Sequence, residues 1–456
     1  MGAHEELLAV TPLDGRYADK VAPLQDILSE YGLIKRRVAV EVGWLTTLAD
    51  GTLPDIEPLD DRARFRLATL VSDFGVGDAM DVKKTEKTTN HDVKAVEIWL
   101  RSRLSDSETF QNYLELIHFG ATSEDVNNLA YGMQLRDTRD RILQPGTDQI
   151  ASDLEVKAER HAGLPMLART HGQPATPTTM GKELRVFSER LRAGQKRLGS
   201  VAMFGKFNGA TGNYNAMMAA YPEVNWPAVT AKFVRSFGFE VSPATTQIEP
   251  HDWTAVFASE IALNNTVMTD LSRDMWTYIS MGYFTQEVKA GEVSSSTMPH
   301  KVNPIDFENA EANFGVANAL FDFLARKLPI SRLQRDLSDS SALRSFGEAF
   351  GHTLVAQQSL KKGMGKVHAN PEKIASDLES EWSVLTEAVQ TVMRRYGIQG
   401  GYDAMKAVSR GKAITKNEYH ELVEGLDLPE VAKSRLLNLT PATYIGAAPD
   451  IARQLH

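Results

Sequence analysis

Apolar side chains recur every three or four residues over long stretches of the chain. From His251 to Ala290 there is one glycine, Gly282, and no proline, and Met268, Leu271, Met275 and Ile279 form a stripe at helical spacing. This predicts a long helix. Leu184, Phe187, Leu191 and Leu198 repeat the pattern after THGQPATPT (170–178), where Thr176 is expected to cap a helix and Pro177 to occupy its first turn. Similar stretches cover about 124–160, 306–328 and 341–362. Short alternating runs with hairpin turns are scarce, so the expected class is all-α, with several helices longer than the average of about 11–12 residues. Helices of this length bury their stripes in a bundle, and one chain is not expected to cover them all. Changes of texture divide the chain into a mostly helical N-terminal domain (1–111), a central long-helix bundle (112–364) and a small helical C-terminal domain (365–456). No internal repeat or low-complexity tract is present.

Composition narrows the function. The 456 residues are 42% hydrophobic and 24% charged, ordinary for a globular protein. No apolar run approaches the roughly 18 residues needed to cross a bilayer, and MGAHEELLAV lacks the layout of a signal peptide; a cytoplasmic protein without membrane contact is expected. With no cysteine, disulfides, thiolate metal sites and a cysteine nucleophile are excluded. The net charge of -9 disfavours nucleic acid, and an anionic substrate would need a locally basic site. Phosphate-loop, nucleophile-elbow and zincin motifs are absent, and the glycines of GKFNGATG (205–212) are wrongly spaced for a dinucleotide fingerprint. The eleven histidines form no close ligand pair with Asp or Glu, so catalysis without a metal or organic cofactor is expected.

Polar clusters interrupt the helical texture: DGRY (14–17), TTNHDVKAVE (88–97), TSEDVNN (122–128), RTHGQPATP (169–177), TTQIEPHD (245–252), SSSTMPHKVNP (294–304) and QRDLSDSSALR (334–344). Several are open to a purely structural reading. Asp14 and Gly15 suit a turn; His91 and Asp92 beside Asn90 suit a helix cap; Thr122 and Asp125 match a capping box; His171 could be a satisfied core histidine; Arg335 and Arg344 could pair with Asp336 or Asp339. Together, however, the clusters supply what elimination from a small polyanion requires: a base at the carbon α to a carboxylate, an acid at the leaving nitrogen, and fixed positive charge. A serine base such as Ser295 would need Lys301, backbone N–H groups and exclusion of water to activate it. Residues 288–304, with Gly291 and two prolines, read as a lid that orders over substrate.

SSSTMPHKVNP resembles the signature of the aspartase/fumarase superfamily, whose members eliminate fumarate. The other clusters, with TVMRRYG (391–397) and LTPATYIG (439–446), make nearly the whole chain similar to the bacterial branch of the adenylosuccinate lyase family. The resemblance implies a three-domain helical subunit and a homotetramer with active sites shared between subunits. It also implies release of fumarate from adenylosuccinate and from the succinyl-carboxamide imidazole ribotide (SAICAR), with no cofactor. Position by position, His171 resembles the general acid, Ser295 the base and His91 the histidine that supports the acid. Lys301, Asn303, Thr122 and Ser123 resemble ligands of the succinyl carboxylates, with Glu308 a supporting acid. Arg16, Tyr17, Arg335, Ser340 and Arg344 match positions that hold phosphate and ribose, and Gln247, Asn90, Asp92, Ser296 and Asn309 match further substrate contacts. An acidic protein would bind this substrate only if Arg16, Lys301, Arg335 and Arg344 converge.

The chain departs from the family in three places. Ser294 stands where many relatives have glycine, so altered lid ordering is expected, reversed in Ser294→Gly. ENAEANFG (308–315) and SSALRSFG (340–347) differ from the family's ENSEGNLG and STVLRNLG but spare Glu308, Asn309, Ser340 and Arg344. Two alternatives are another fumarate-releasing lyase, such as an argininosuccinate lyase, and a catalytically silent protein on the same fold. The former would not require a phosphate site; the latter would be expected to lack the acid or base.

Overall fold

The computed structural model describes residues 7–288, 297–298, 300–411 and 413–454. It is an all-α protein with a few short strands. The long helices include Glu30–Ala49, Ser123–Thr138, Gln144–Arg160, Met180–Gly199, Asp252–Ser280, Ile305–Lys327 and Phe346–Lys366. The stripes that predict them are inside: Leu184, Leu191, Met268, Leu271 and Met275 are each at most 1% exposed. Between Thr138 and Gln144 the helix widens into one π turn, Arg139–Leu143. Pro145 follows and has no N–H for the regular ladder, which accounts for a local change of pitch there.

The chain divides into two compact units. One comprises residues 1–146, 194–266 and 312–358; the other comprises 147–193, 267–311 and 359–456. All five boundaries fall inside long helices. In the first unit the core gathers around Trp44, whose ring lies 4.4 Å from Phe207 and 5.2 Å from Phe233, with its indole N–H donated to the Phe119 carbonyl. Glu30–Ala49, the helix carrying Trp44, is capped by Ser29, which accepts the Gly32 N–H. In the second unit a smaller core surrounds Trp382 and Tyr419, the latter donating its hydroxyl to the Leu436 carbonyl.

One expectation is corrected. Residues 165–179 do not lead into a helix capped at Thr176; they form an antiparallel hairpin of Pro165–Thr170 with Gln173–Thr179, and the helix begins at Met180. Thr179 Oγ1 accepts the Lys182 N–H, while the Thr176 hydroxyl donates to Glu387. The prolines at 174 and 177 are tolerated because a two-stranded hairpin consists entirely of edges.

Candidate active site

The TTNHD segment is a tight break between two helices. Val76–Thr89 ends at Asn90, which adopts the left-handed conformation (φ 52°, ψ 33°) that asparagine tolerates better than most residues. The next helix, Asp92–Leu104, is capped by the His91 side chain: Nδ1 accepts the Lys94 N–H at 3.0 Å. That bond leaves the proton of the neutral ring on Nε2, so His91 offers a donor at its free edge. Capping and substrate contact are therefore compatible at this residue.

TSEDVNN opens the Ser123–Thr138 helix, and four of its polar side chains, Glu124, Asp125, Asn127 and Asn128, have defined partners. The Asp125 carboxylate accepts the N–H groups of Thr122, Asn208 and Gly209 at 2.9–3.0 Å and pairs with Lys206 at 2.8 Å. Asn128 donates to the Lys206 carbonyl and accepts the Lys206 N–H. Glu124 binds the Arg335 guanidinium at 2.9 Å and accepts from Asn127 at 2.7 Å. The segment is thus a hub for backbone and charge, with half-buried Ser123 at the start of its helix.

Neither Arg335 nor Arg344 forms an ion pair with Asp336 or Asp339. Arg335 donates to Gln247 at 3.0 Å and Ser340 at 3.1 Å in addition to Glu124. Arg344 reaches back to Glu30 at 2.7 Å and stands 3.8 Å from Asp92. Asp336 binds Arg332 and Ser338 instead, while Asp339 Oδ2 lies 3.8 Å from His251 Nε2. Asp92 ionises below the ordinary carboxylate range: burial pushes its pKa up, and Arg37, the Val93 N–H and Arg344 more than reverse this. Glu30 is also lowered, with burial outweighed by Arg344, Lys83 and Arg37. Burial raises the Tyr131 phenol despite the same two arginines.

Asn90, His91, Asp92, Ser123, Arg335, Ser340 and Arg344 line one cavity of about 360 Å³ in the first unit, with Arg37, Asn127 and Tyr131 also in its wall. Gln247 adjoins it through Arg335, and Thr122 through the Asp125 cap. Arg16 and Tyr17 belong to the same unit but occupy the 11–17 turn, where Arg16 is exposed. His171, Lys301, Asn303, Glu308 and Asn309 belong to the other unit. Ser294, Ser295 and Ser296 lie outside the described residues.

His171 and Gly172 form the two-residue turn of the hairpin, both with positive φ (53° and 76°), closed by the Thr170–Gln173 pair. Two successive positive φ angles define a turn matched to strand twist. The His171 side chain is exposed at this tip, so the satisfied-core alternative does not apply. Lys301 is exposed; Glu308 accepts the Trp276 indole N–H at 3.0 Å, and Asn309 accepts from Ser359 at 2.7 Å. Among the described residues no group of three or more His, Asp or Glu side chains is placed to hold a metal ion.

Sequence reasoning missed Arg37, Glu124 and Lys206, which organise the cavity wall. It also missed His118, whose Nδ1 lies 2.6 Å from buried Glu41. A charged residue within a helical stripe was the sole signal for Arg37.

Comparison with known proteins adds family information. The family model described as "Lyase" matches residues 15–317, and "Adenylosuccinate lyase C-terminal" matches residues 331–445. Adenylosuccinate lyase from Haemophilus influenzae is 46% identical over 450 residues, covering 98% of this chain and 99% of the relative. The enzyme of the same name from Escherichia coli K12 gives the same figures. Among solved structures, a fumarate lyase from Mesorhizobium sp. BNC1 superposes with a TM-score of 0.75 at 19% identity, covering 94% of this chain and 96% of that one. A 3-carboxy-cis,cis-muconate lactonizing enzyme from Pseudomonas putida gives 0.73 at 20% identity, covering 94% and 95%. At these identities the two structures establish the fold alone.

Proposed function

Because this chain belongs to the adenylosuccinate lyase family, we propose that it is an adenylosuccinate lyase, a C–N lyase releasing fumarate from adenylosuccinate and from SAICAR to leave AMP and the corresponding amide, AICAR. One observation carries this reading: a chain 46% identical to adenylosuccinate lyases along 98% of its length gathers Asn90, His91, Asp92, Ser123, Arg335, Ser340 and Arg344 in one cavity. Purified protein incubated with adenylosuccinate and followed for AMP and fumarate tests it.

The reaction is an elimination. Ser295 takes the proton from the carbon α to a succinyl carboxylate, the electron pair left behind forms the fumarate double bond as the C–N bond breaks, and His171 gives its proton to the departing nitrogen. Lys301, Asn303, Thr122 and Ser123 bind the carboxylates on which negative charge accumulates, with Glu308 alongside. His91 donates through Nε2, which suits a residue that holds the substrate and supports His171. Arg16, Tyr17, Arg335, Ser340 and Arg344 take the phosphate and ribose; Asn90, Asp92, Gln247, Ser296 and Asn309 complete the contacts. Side chains of the protein carry every step.

Charge supports a site completed by other subunits. Around the cavity, Arg37, Lys83, Arg335 and Arg344 face Glu30, Glu86, Asp92 and Glu124. A substrate bearing a phosphate and two carboxylates needs further cations, which exposed Arg16 and Lys301 can supply. Exposed Val256, Leu263, Val316 and Phe323 on two of the long helices favour a homotetramer whose bundle buries them and whose active sites are shared. As an enzyme of purine nucleotide biosynthesis, it would work in the cytoplasm.

A further inference from the structure

Arg37 belongs to none of the polar signature segments. It lies within the Glu30–Ala49 helix, and its side chain is 2% exposed. Nη2 donates to Asp92 Oδ2 at 2.7 Å, and Nε donates to Asn127 Oδ1 at 2.9 Å. Asp92 is the first residue of the helix capped by His91, and Asn127 lies one turn into the helix that opens at Ser123. A guanidinium is planar, and its donors point along fixed directions. The two bonds therefore fix the separation and the relative orientation of two segments distant in sequence.

The constraint extends further. Asn127 donates onward to Glu124, which holds Arg335, while Asp92 stands 3.8 Å from Arg344. A shift at Arg37 would reach the His91 and Ser123 segments and Arg335 through hydrogen bonds that start from a buried guanidinium, where each lost partner is costly, and would reach Arg344 through a partly exposed ion pair.

We infer that Arg37 is a positioning residue for the elimination: its guanidinium holds the His91 and Ser123 segments in the register on which turnover depends, without itself reacting. The inference rests on the lyase reading, so wild-type activity is measured first. An inactive wild-type enzyme overturns the reading and the inference with it; an active one leaves the inference to the variants.

Arg37→Lys keeps the charge but replaces a planar fork by a single ammonium. It is expected to lower kcat/KM about ten- to hundredfold, chiefly in kcat, because sub-ångström misplacement is amplified at a reacting centre. Because Asn127 loses its donor, the thermal midpoint is expected to fall as well, so kcat is read per folded site. Arg37→Ala should recover part of its kcat on addition of methylguanidinium and none on addition of methylammonium. An arginine that serves only the fold gives a different pattern: a lower midpoint with unchanged kcat and KM per folded site, and no rescue of kcat. That pattern overturns the inference. If neither Arg37 variant folds, Asn127→Ala decides, since it leaves the Arg37–Asp92 bond in place: reduced kcat per folded site supports the inference, and wild-type kcat per folded site overturns it.

Discussion

Lys206 and Asp125 form an ion pair of 2.8 Å in which neither side chain has any solvent exposure. Asp125 also takes three backbone N–H groups, one of them from Thr122 at the start of the cavity-lining helix. The cavity-lining end of TSEDVNN is therefore anchored by a buried charge pair between its own Asp125 and Lys206 of a segment distant in sequence.

Removing one partner of such a pair leaves an uncompensated buried charge, which costs about 3–5 kcal/mol. Lys206→Met is expected to destabilise the protein by about that amount, read as a clearly lowered thermal midpoint and reduced yield of folded enzyme. A midpoint equal to the wild type would contradict the account of this pair.

His118 gives stability a pH dependence of definite sign. Burial lowers its pKa, but Glu41, Glu97 and Asp125 outweigh burial, and the net shift is upward. The folded state thus binds the proton more tightly than the unfolded chain, whose histidine titrates near about 6.5. The stabilisation is fully present below that value and is lost as pH rises through the folded-state pKa. Asn tolerates the positive φ of 59° at this position. The midpoint difference between wild type and His118→Asn is expected to be largest near pH 6 and to shrink toward pH 9; a difference that grows with pH would contradict the assignment.

His171 is tested by the same device. His171→Asn retains a residue suited to the left-handed turn while removing the imidazole. It should keep the wild-type midpoint and KM and lose about 10²–10⁴-fold in kcat, the usual size of a general-acid contribution. Near-normal turnover would remove His171 from the role of acid.

Arg335 is held by Glu124, Gln247 and Ser340. A charge-assisted hydrogen bond to phosphate is worth about 1.5–3 kcal/mol. Arg335→Lys should therefore raise KM about ten- to hundredfold with a smaller effect on kcat. An unchanged KM would mean that the phosphate is held elsewhere.

The long helices were legible because Met268, Leu271 and Met275, like Leu184 and Leu191, are spaced at the period of the buried face they occupy. The capping pattern of Thr122 and Asp125 was legible because both halves lie within four residues. The hairpin at 165–179 was not: two prolines in its second strand hid the strand signal, and His-Gly is a less usual pair for its turn. The ion pairs were read locally, Arg335 and Arg344 against Asp336 and Asp339, whereas the fold supplies Glu124 and Glu30 from distant segments. The partners of Arg37 and Lys206 are not legible for the same reason, since they are set by tertiary packing rather than by spacing.

The most direct test of the central claim is a product assay on the purified protein, with adenylosuccinate and argininosuccinate supplied in parallel, no metal or cofactor added, and AMP and fumarate separated by chromatography. AMP and fumarate are expected in equal amounts from adenylosuccinate, with no product from argininosuccinate. Fumarate from argininosuccinate alone, or no product from either substrate, would contradict it.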